Sequence, residues 1–264
     1  MSGPERPRPK TRPTTRTWLG LLLPAFLAFL VLIGLGTWQV ERKAWKEALI
    51  ATLTQRTNAA PAALPGAKDW ASLNPAQDEY SRVKFTAQFD NADEALVFGS
   101  ASAFRPDVGG QGYWVFTPAR LADGGTVIVN RGFIPEDKKD PGARSAGQIA
   151  GPVEIVGALR WPDTRHWFTP ADDAAHNLFF LRDPAAIAAA KHLGAVAPFF
   201  VEQESPVPPG GLPQPGKLVV ALPDNHLQYA ITWYGLAAAL VVVFVIWAWK
   251  SRRNPRPEAL PPSL

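Results

Sequence analysis

Histidine is the side chain of this sequence best suited to carry chemistry, because the chain has no cysteine and none of the common catalytic motifs. His226 stands in Pro223-Asp224-Asn225-His226-Leu227, immediately before a long apolar segment. An ionisable side chain at the mouth of such a segment is a functional candidate by default. The other three histidines fall in predicted loops or a short helix, where a solvated or hydrogen-bonded surface histidine is the commoner case; they are His166, His176 and His192.

The chemistry open to His226 is donation of a neutral ring nitrogen to a metal, and imidazole is a common axial ligand of haem iron. Trp233 lies on the same helical face about 10 Å deeper, where it would line an apolar pocket rather than ligate. Tyr229 and Ala230 lie between the two. The alternative is that His226 merely sits at a membrane interface while Asp224 caps the helix. The residues alone leave both interpretations open.

Missing motifs exclude several function classes. The sequence has no G-x-S-x-G, Walker loop, H-E-x-x-H or tight acidic cluster, so we expect no enzyme activity. The lack of cysteine excludes disulfides and thiolate sites, and with a single methionine it argues against delivery of Cu(I). The net charge of +4 comes from the two ends, and no basic stripe interleaved with aromatics is present, so we expect no nucleic acid partner.

Two long apolar segments predict two transmembrane helices in a lipid bilayer, at residues 18–40 and 227–249. Each is long enough as a helix to cross about 30 Å of hydrocarbon, and each is bordered by Trp or Tyr, as expected at the headgroup level. A cleavable signal peptide is the alternative for the first segment. Its apolar region is usually about 7 to 15 residues long and ends in a small-residue cleavage site, which is absent before Glu41. We therefore predict a retained anchor.

The distribution of Lys and Arg predicts the orientation. Nine of these residues lie in the terminal flanks and five in the inner flanks of the two segments. Positive flanks stay in the cytoplasm, so residues 1–17 and 250–264 are predicted as cytoplasmic tails and residues 41–226 as an extracytoplasmic domain. The prediction is a multi-pass protein of the cell inner membrane with a periplasmic central domain.

Small residues in both segments favour pairing of the two helices, because small side chains let helix backbones approach closely in a membrane. These residues are Gly34, Gly36, Gly235 and 237–239.

The central region is predicted as a mainly β (α+β) domain, a sandwich or small barrel with one helix. Residues 41–57 continue the first helix as a charged segment, and residues 59–74, rich in Ala and Pro, are interpreted as a linker. The clearest strand is Arg82 to Phe89, where apolar and polar residues alternate. Further strands are predicted at residues 95–100, 113–117, 126–130, 153–159 and 199–203.

Turn and cap residues add three local predictions. Asp123-Gly124-Gly125 predicts an antiparallel hairpin, because glycine permits the positive φ angles of such turns. A helix is predicted from Pro184 to about Leu193, capped by Asp183 and ended by Gly194. The Pro-rich stretch Ser205 to Gly216 would return the chain to the membrane.

Four motifs are distributed from the first apolar segment to the second. They are Leu35-Gly36-Thr37-Trp38-Gln39 with Arg42, Trp45 and Lys46; Gly112-Tyr113 with Thr117-Pro118 and Val129-Asn130-Arg131-Gly132-Phe133-Ile134-Pro135; Phe179 to Asp183; and Asn225-His226-Leu227-Gln228-Tyr229-Ala230 with Thr232-Trp233-Tyr234. Together they resemble the Surfeit locus family of cytochrome c oxidase assembly factors, in its bacterial form. The sequence departs from the family at two positions: the family usually has Trp where Phe133 stands and often His in place of Trp114.

The resemblance implies a protein that helps to insert haem a into the catalytic subunit of cytochrome c oxidase. Bacterial members are proposed to bind haem a themselves, so the resemblance makes His226 the candidate axial ligand and Trp233 a pocket residue. Haem a is then a transient cofactor held in a cleft between the two helices, and the oxidase catalytic subunit and haem a synthase are the expected partners. In the hairpin motif, Arg131 could meet a haem propionate or a partner carboxylate, a structural salt bridge being the favoured alternative, and Gly132 would serve turn geometry.

A second hypothesis, of another class, is a membrane scaffold that holds an oxidase subunit during assembly without binding haem. Only the haem carrier requires His226. A two-span sensor would need a cytoplasmic output domain, and the predicted tails of 17 and 15 residues argue against it.

Overall fold

A computed structural model describes residues 15–100, 105–220 and 224–253. The helices are α1 (Thr15–Asn58), α2 (Pro75–Asp78), α3 (Pro184–Ala190) and α4 (His226–Arg253). The strands are β1 (Ala62–Ala63), β2 (Arg82–Phe89), β3 (Ala95–Ser100), β4 (Gln111–Leu121), β5 (Thr126–Pro135), β6 (Pro152–Arg160), β7 (Leu178–Phe179) and β8 (Phe200–Ser205). The chain divides into two compact units: a helical unit, Met1–Ala48 with Pro223–Leu264, and a barrel unit, Leu49–Leu222.

The helical unit contains α4 and most of α1, and both helices are long and apolar enough to cross a membrane. As predicted for residues 41–57, α1 continues without a break beyond its apolar segment and ends at Asn58. The predicted pairing of α1 with α4 is also present, but fewer small residues take part than expected. Gly36 and Ala237 are buried, whereas the other predicted positions, Gly34, Gly235, Ala238 and Ala239, are exposed.

The barrel unit is built on a closed ring of five strands in the order β2, β6, β8, β5, β4. The ring closes because β4 pairs with β5 along one edge and with β2 along the other. Every pairing within the ring is antiparallel except β5 with β8. Beyond the ring, β3 and β7 extend the sheet from β4, and β1 pairs with β2. Of the two predicted architectures, the small barrel is the right one.

Alternation along the strands separates two cores. On β5, Val127 and Val129 belong to a cluster with members on all five ring strands, which fills the barrel. Ile128 points the other way, into a second cluster that includes Ile187 of α3. Successive side chains of a strand face opposite sides of the sheet. Because both faces of β5 are covered, its even-numbered and its odd-numbered positions both need apolar residues.

Each predicted strand is confirmed at its approximate position in the sequence. For two of them, both the first and the last residue are also correct. β2 and β3 begin and end where predicted, whereas β4 and β5 are longer than predicted. Both long strands are buried on both faces through eight consecutive residues, and such a strand gives no period-two signal that would mark its ends.

The interpretation of residues 59–74 as a linker is wrong. This segment contains β1 and the buried Trp70, whose indole packs in the cluster that fills the barrel. The indole Nε1 donates to the carbonyl oxygen of Pro65 at 2.9 Å. The Ala- and Pro-rich composition indicates a linker, but the segment is ordered because the large side chain of Trp70 packs in the barrel.

The predicted hairpin turn and the Asp183 cap are confirmed, whereas the predicted end of the helix at Gly194 is wrong. Gly124 has φ +87°, and the carboxylate of Asp123 accepts from the Gly125 N–H at 3.0 Å in the β4–β5 hairpin. Asp183 caps α3 by accepting from the amides of Ala185 and Ala186. The helix ends at Ala190, three residues earlier than predicted.

The Pro-rich stretch does more than return the chain to the membrane. Gln214 exchanges two backbone hydrogen bonds with Phe133 of β5, at 3.0 and 2.8 Å. This part of the stretch therefore packs on the barrel as an added edge.

Candidate functional site

His226 is the first residue of α4, and its backbone is capped as the sequence predicts. The Asp224 carboxylate accepts from the His226 N–H at 3.0 Å, and the Asn225 carbonyl accepts from the Tyr229 N–H at 3.2 Å. Capping thus accounts for Asp224 and for the main chain of His226. It leaves the imidazole itself unexplained.

The imidazole of His226 is held by a glutamine of the other helix. Its Nδ1 lies 2.7 Å from Oε1 of Gln39, a side chain only 9% exposed. An amide oxygen can only accept, so the ring nitrogen that faces it carries the proton and donates. In the neutral ring Nε2 then keeps its lone pair, and no described residue makes a hydrogen bond to it. That is the protonation form in which imidazole binds a metal through Nε2.

Trp233 lies on the same face of α4, two turns from His226, and its side chain is half-buried. Ala230 and Ala237, on the same face, are 2% and 1% exposed. This face packs toward α1, so Trp233 stands beside the interface between the two helices, and no contact with another described residue assigns it a role as a pocket residue.

A second polar contact joins the helices near Gly36. Thr37 donates its hydroxyl proton to the Ile33 carbonyl at 3.0 Å, so the Tyr234 hydroxyl donates to Thr37 Oγ1 across 3.1 Å. A Cβ added to Gly36 would lie 2.6 Å from the Tyr234 ring. Gly36 therefore makes room for Tyr234.

The expected cleft between the helices does not lie at His226. An apolar groove of about 390 Å³ between α1 and α4 is found near their opposite ends, and its lining does not include His226 or Trp233. It is lined by Leu22, Ala25, Phe26, Phe29, Leu240, Val241, Phe244, Val245 and Ala248. Around His226 the small residues and the two polar contacts bring the helices together, which leaves the imidazole at the edge of the pair.

The other three histidines are exposed, as the sequence analysis expects. His176 forms a surface pair with Asp173, Nδ1 to Oδ2 at 2.7 Å, and His166 stacks on Phe168. Among residues 15–100, 105–220 and 224–253, no three His, Cys, Asp or Glu side chains are grouped as a metal site. His226 is thus a single potential ligand rather than part of a cluster.

Arg131 has a structural role, and no acidic side chain among the described residues forms a salt bridge with it. Its side chain is 1% exposed, donates to Asn91 Oδ1 at 2.9 Å and to the Gly147 carbonyl oxygen, and lies over the Phe89 ring. Burial lowers the pKa of Arg131 to about 10, so the side chain stays charged at neutral pH. A buried guanidinium with these partners is not available to a haem propionate, so that expectation and the salt bridge are both wrong.

The neighbours of Arg131 also have structural roles within the barrel unit. Asn130 donates to Glu202 Oε1 at 3.0 Å and accepts from the Gly132 N–H at 3.1 Å. Gly132 has φ +124°, and a Cβ there would lie 2.1 Å from the Gln214 carbonyl oxygen. Gly132 therefore serves the close approach of the Pro-rich stretch rather than a turn.

The two positions at which the sequence departs from the family motif face each other. Trp114 on β4 pairs with Phe133 on β5, and their rings meet edge to face with centroids 5.3 Å apart. The two departures thus form one cross-strand aromatic pair, which belongs to the second cluster, the one that includes Ile128 and Ile187.

Comparison with known proteins gives a consistent result. Residues 26–238 match the model of the SURF1 family. The chain is 38% identical to Surfeit locus protein 1 of Takifugu rubripes over 234 residues, covering 84% of this chain and 92% of that protein. It is 38% identical to Surfeit locus protein 1 of Homo sapiens, covering 84% and 74%, and 36% identical to a SURF1-like protein of Monosiga brevicollis, covering 88% and 89%. The matched region includes α1 from Phe26 onward, the whole barrel unit and the start of α4. The chain therefore belongs to the SURF1 family.

Proposed function

We propose that this protein is an assembly factor of cytochrome c oxidase that holds haem a on its way to the catalytic subunit, with His226 as axial ligand of the haem iron. Membership of the SURF1 family supports the assembly role. The observation that carries haem binding is the hydrogen bond from His226 Nδ1 to the buried Gln39 Oε1.

That hydrogen bond prepares the ring as a ligand. Histidines that bind metals commonly donate their second ring nitrogen to a protein acceptor, which fixes the tautomer and the ring orientation and raises the basicity of the donor nitrogen. Here Gln39 is the acceptor, and Nε2 is left as the donor atom toward iron. A histidine that only marked the membrane interface would have no need of a buried partner on the other helix.

The incomplete pocket suits a carrier. The helical unit supplies a ligand and the half-buried Trp233, but the groove that the helices enclose lies elsewhere. A cargo held by one ligand and little enclosing surface is bound more weakly than one in a closed pocket, and it can pass to an acceptor that binds it better. Haem a is the cargo in this scheme, not a resident group.

The proposed location follows from the charge distribution. Both terminal flanks are richer in Lys and Arg than the inner flanks, so α1 and α4 would span the cell inner membrane with both tails in the cytoplasm. His226 would then lie at the periplasmic end of α4. The donor of haem a would be haem a synthase, and the acceptor the oxidase catalytic subunit; both handle this apolar cargo at the membrane.

The competing function is a scaffold that holds an oxidase subunit and never binds haem. Purification of the full chain from cells that make haem a, followed by its visible spectrum, separates the two. We expect bound haem a in the natural protein and its loss in His226→Ala, together with a fall in the haem a content of the oxidase in cells that carry this variant.

His176→Ala is the matched control, because His176 is exposed and its ring pairs with the surface residue Asp173. It should retain haem a at the natural level. Absence of haem a from both the natural protein and the control, with normal oxidase in cells carrying His226→Ala, would favour the scaffold.

A further inference from the structure

The loop after β6 presents two large aromatic side chains to solvent. Trp167 is 95% exposed and Phe168 is 67% exposed, which makes Trp167 the most exposed large apolar side chain among the described residues. Exposed apolar residues that are contiguous, as these two neighbours are, can mark an interaction site. We call residues 165–170 the aromatic tip.

The aromatic tip is a turn closed by hydrogen bonds. The Thr169 N–H donates to the His166 carbonyl at 3.0 Å, and the His166 N–H donates back to Thr169 Oγ1 at 3.1 Å. Arg165 braces the base of the turn by donating to the Pro170 carbonyl at 2.7 Å and to Asp172 at 2.6 Å. These contacts fix the backbone that holds the aromatic side chains outward.

The rings themselves form a small stack. The His166 and Phe168 rings lie 5.5 Å apart and 12° from parallel, and Trp167 meets Phe168 edge to face at 5.5 Å. A groove of about 630 Å³ lies beside the stack, and Phe168 lines it with Phe98 and Phe180. Trp167 does not line this groove, and its 95% exposure shows that the described residues leave its ring almost uncovered.

We propose that the aromatic tip inserts into the headgroup region of a lipid bilayer. Trp is favoured at this depth because its ring is apolar while its N–H can still meet water. Both ends of the barrel unit continue along the chain into α1 and α4, the two helices that could cross a membrane, so a bilayer is the apolar phase to which this loop stays tethered. The inference rests on the membrane location given under Proposed function and not on haem binding.

The absence of cysteine from the sequence allows a direct test. The full chain with the single change Trp167→Cys is labelled with an environment-sensitive fluorophore and reconstituted in vesicles of phosphatidylcholine and phosphatidylglycerol. We expect blue-shifted emission, strong quenching by nitroxide-bearing lipids, and several-fold weaker quenching by aqueous iodide than at a control site. The control is Asp137→Cys, because the Asp137 side chain is 71% exposed on the barrel unit.

Equal iodide quenching at positions 167 and 137, without quenching by the lipid nitroxides, would overturn the proposal. Protection at position 167 only after purified oxidase catalytic subunit is added would also overturn it, and would identify a protein as the partner. A failure of haem binding leaves these readouts unchanged, so the two proposals fail separately.

Discussion

At the scale of single residues, the side chain that decides the role of His226 is Gln39. The two residues lie 187 positions apart in the sequence. In the sequence analysis Gln39 is only the last residue of the Leu35–Gln39 motif, and no role is predicted for it. Nothing in one sequence pairs two residues at this distance. His226 could be predicted from its place before an apolar segment, whereas its partner required the structure.

Replacing Gln39 by Leu should weaken haem a binding by roughly 10- to 100-fold, the usual effect of losing a hydrogen-bond partner behind a metal ligand. Titration of the purified full chain with haem a measures this. Gln39→Glu keeps an acceptor oxygen in place and should bind more tightly than Gln39→Leu. Unchanged affinity in Gln39→Leu would show that the hydrogen bond does not prepare the ring.

A second residue-scale prediction concerns the ion pair of Arg105 with Asp107. Arg105 is 1% exposed and donates through two nitrogens to the carboxylate, both at 2.8 Å. These hydrogen bonds hold the pKa of Asp107 below its usual value. A lowered folded-state pKa contributes stability above the unfolded-state pKa of about 3.9, and this contribution is lost as the pH falls through the lower folded-state value.

Asp107→Asn should therefore lower the free energy of unfolding by roughly 1–2 kcal/mol at neutral pH, less than for a fully buried pair because Asp107 is 44% exposed. The difference from the natural protein should shrink below about pH 4. Denaturant unfolding of the barrel unit within the full chain, followed by its tryptophan fluorescence, measures both effects. Asp137→Asn is the exposed control, and a loss of equal size there would contradict the assignment.

At the scale of elements, the sequence predicted most strands, the hairpin turn and the cap of α3, because each has a local signature in alternation, glycine or aspartate. It did not predict β1 and β7, since two residues carry no period, or the closure of the ring by β4 and β2. Closure depends on residues 87–89 meeting residues 119–121, a pairing that no local pattern specifies. Trp70 likewise anchors a segment whose composition indicates a linker.

Pairing of α1 with α4 gives a prediction with a matched control in the same helix. Gly36→Leu would drive a side chain into the Tyr234 ring, whereas Gly34 has nothing within 4 Å of an added Cβ. With Cys introduced at Ala25 and Val245, which line the same groove, oxidative crosslinking reports on pairing. We expect the yield to fall several-fold in Gly36→Leu and to persist in Gly34→Leu. Equal yields in both variants would contradict the packing of Gly36 against Tyr234.

At the scale of the whole molecule, two apolar helices flank a closed barrel in the sequence, and the proposed membrane orientation rests on the distribution of Lys and Arg alone. Single-cysteine variants test it in cells whose outer membrane has been opened. A maleimide that cannot cross the inner membrane should label Asp137→Cys in these cells before lysis and Glu258→Cys only after lysis. The reverse pattern would place His226 at the cytoplasmic end of its helix, and the proposed site would then be on the wrong side.

The account as a whole depends on Nε2 of His226 being the atom that binds iron. The most direct test is chemical rescue: His226→Gly in the full chain removes the ring, and free imidazole is then added together with haem a. We predict that the variant binds haem a poorly alone and regains the spectrum of the natural protein when imidazole is present, because the added ring takes the place of the missing ligand. Natural haem a binding by His226→Gly without imidazole would contradict the claim.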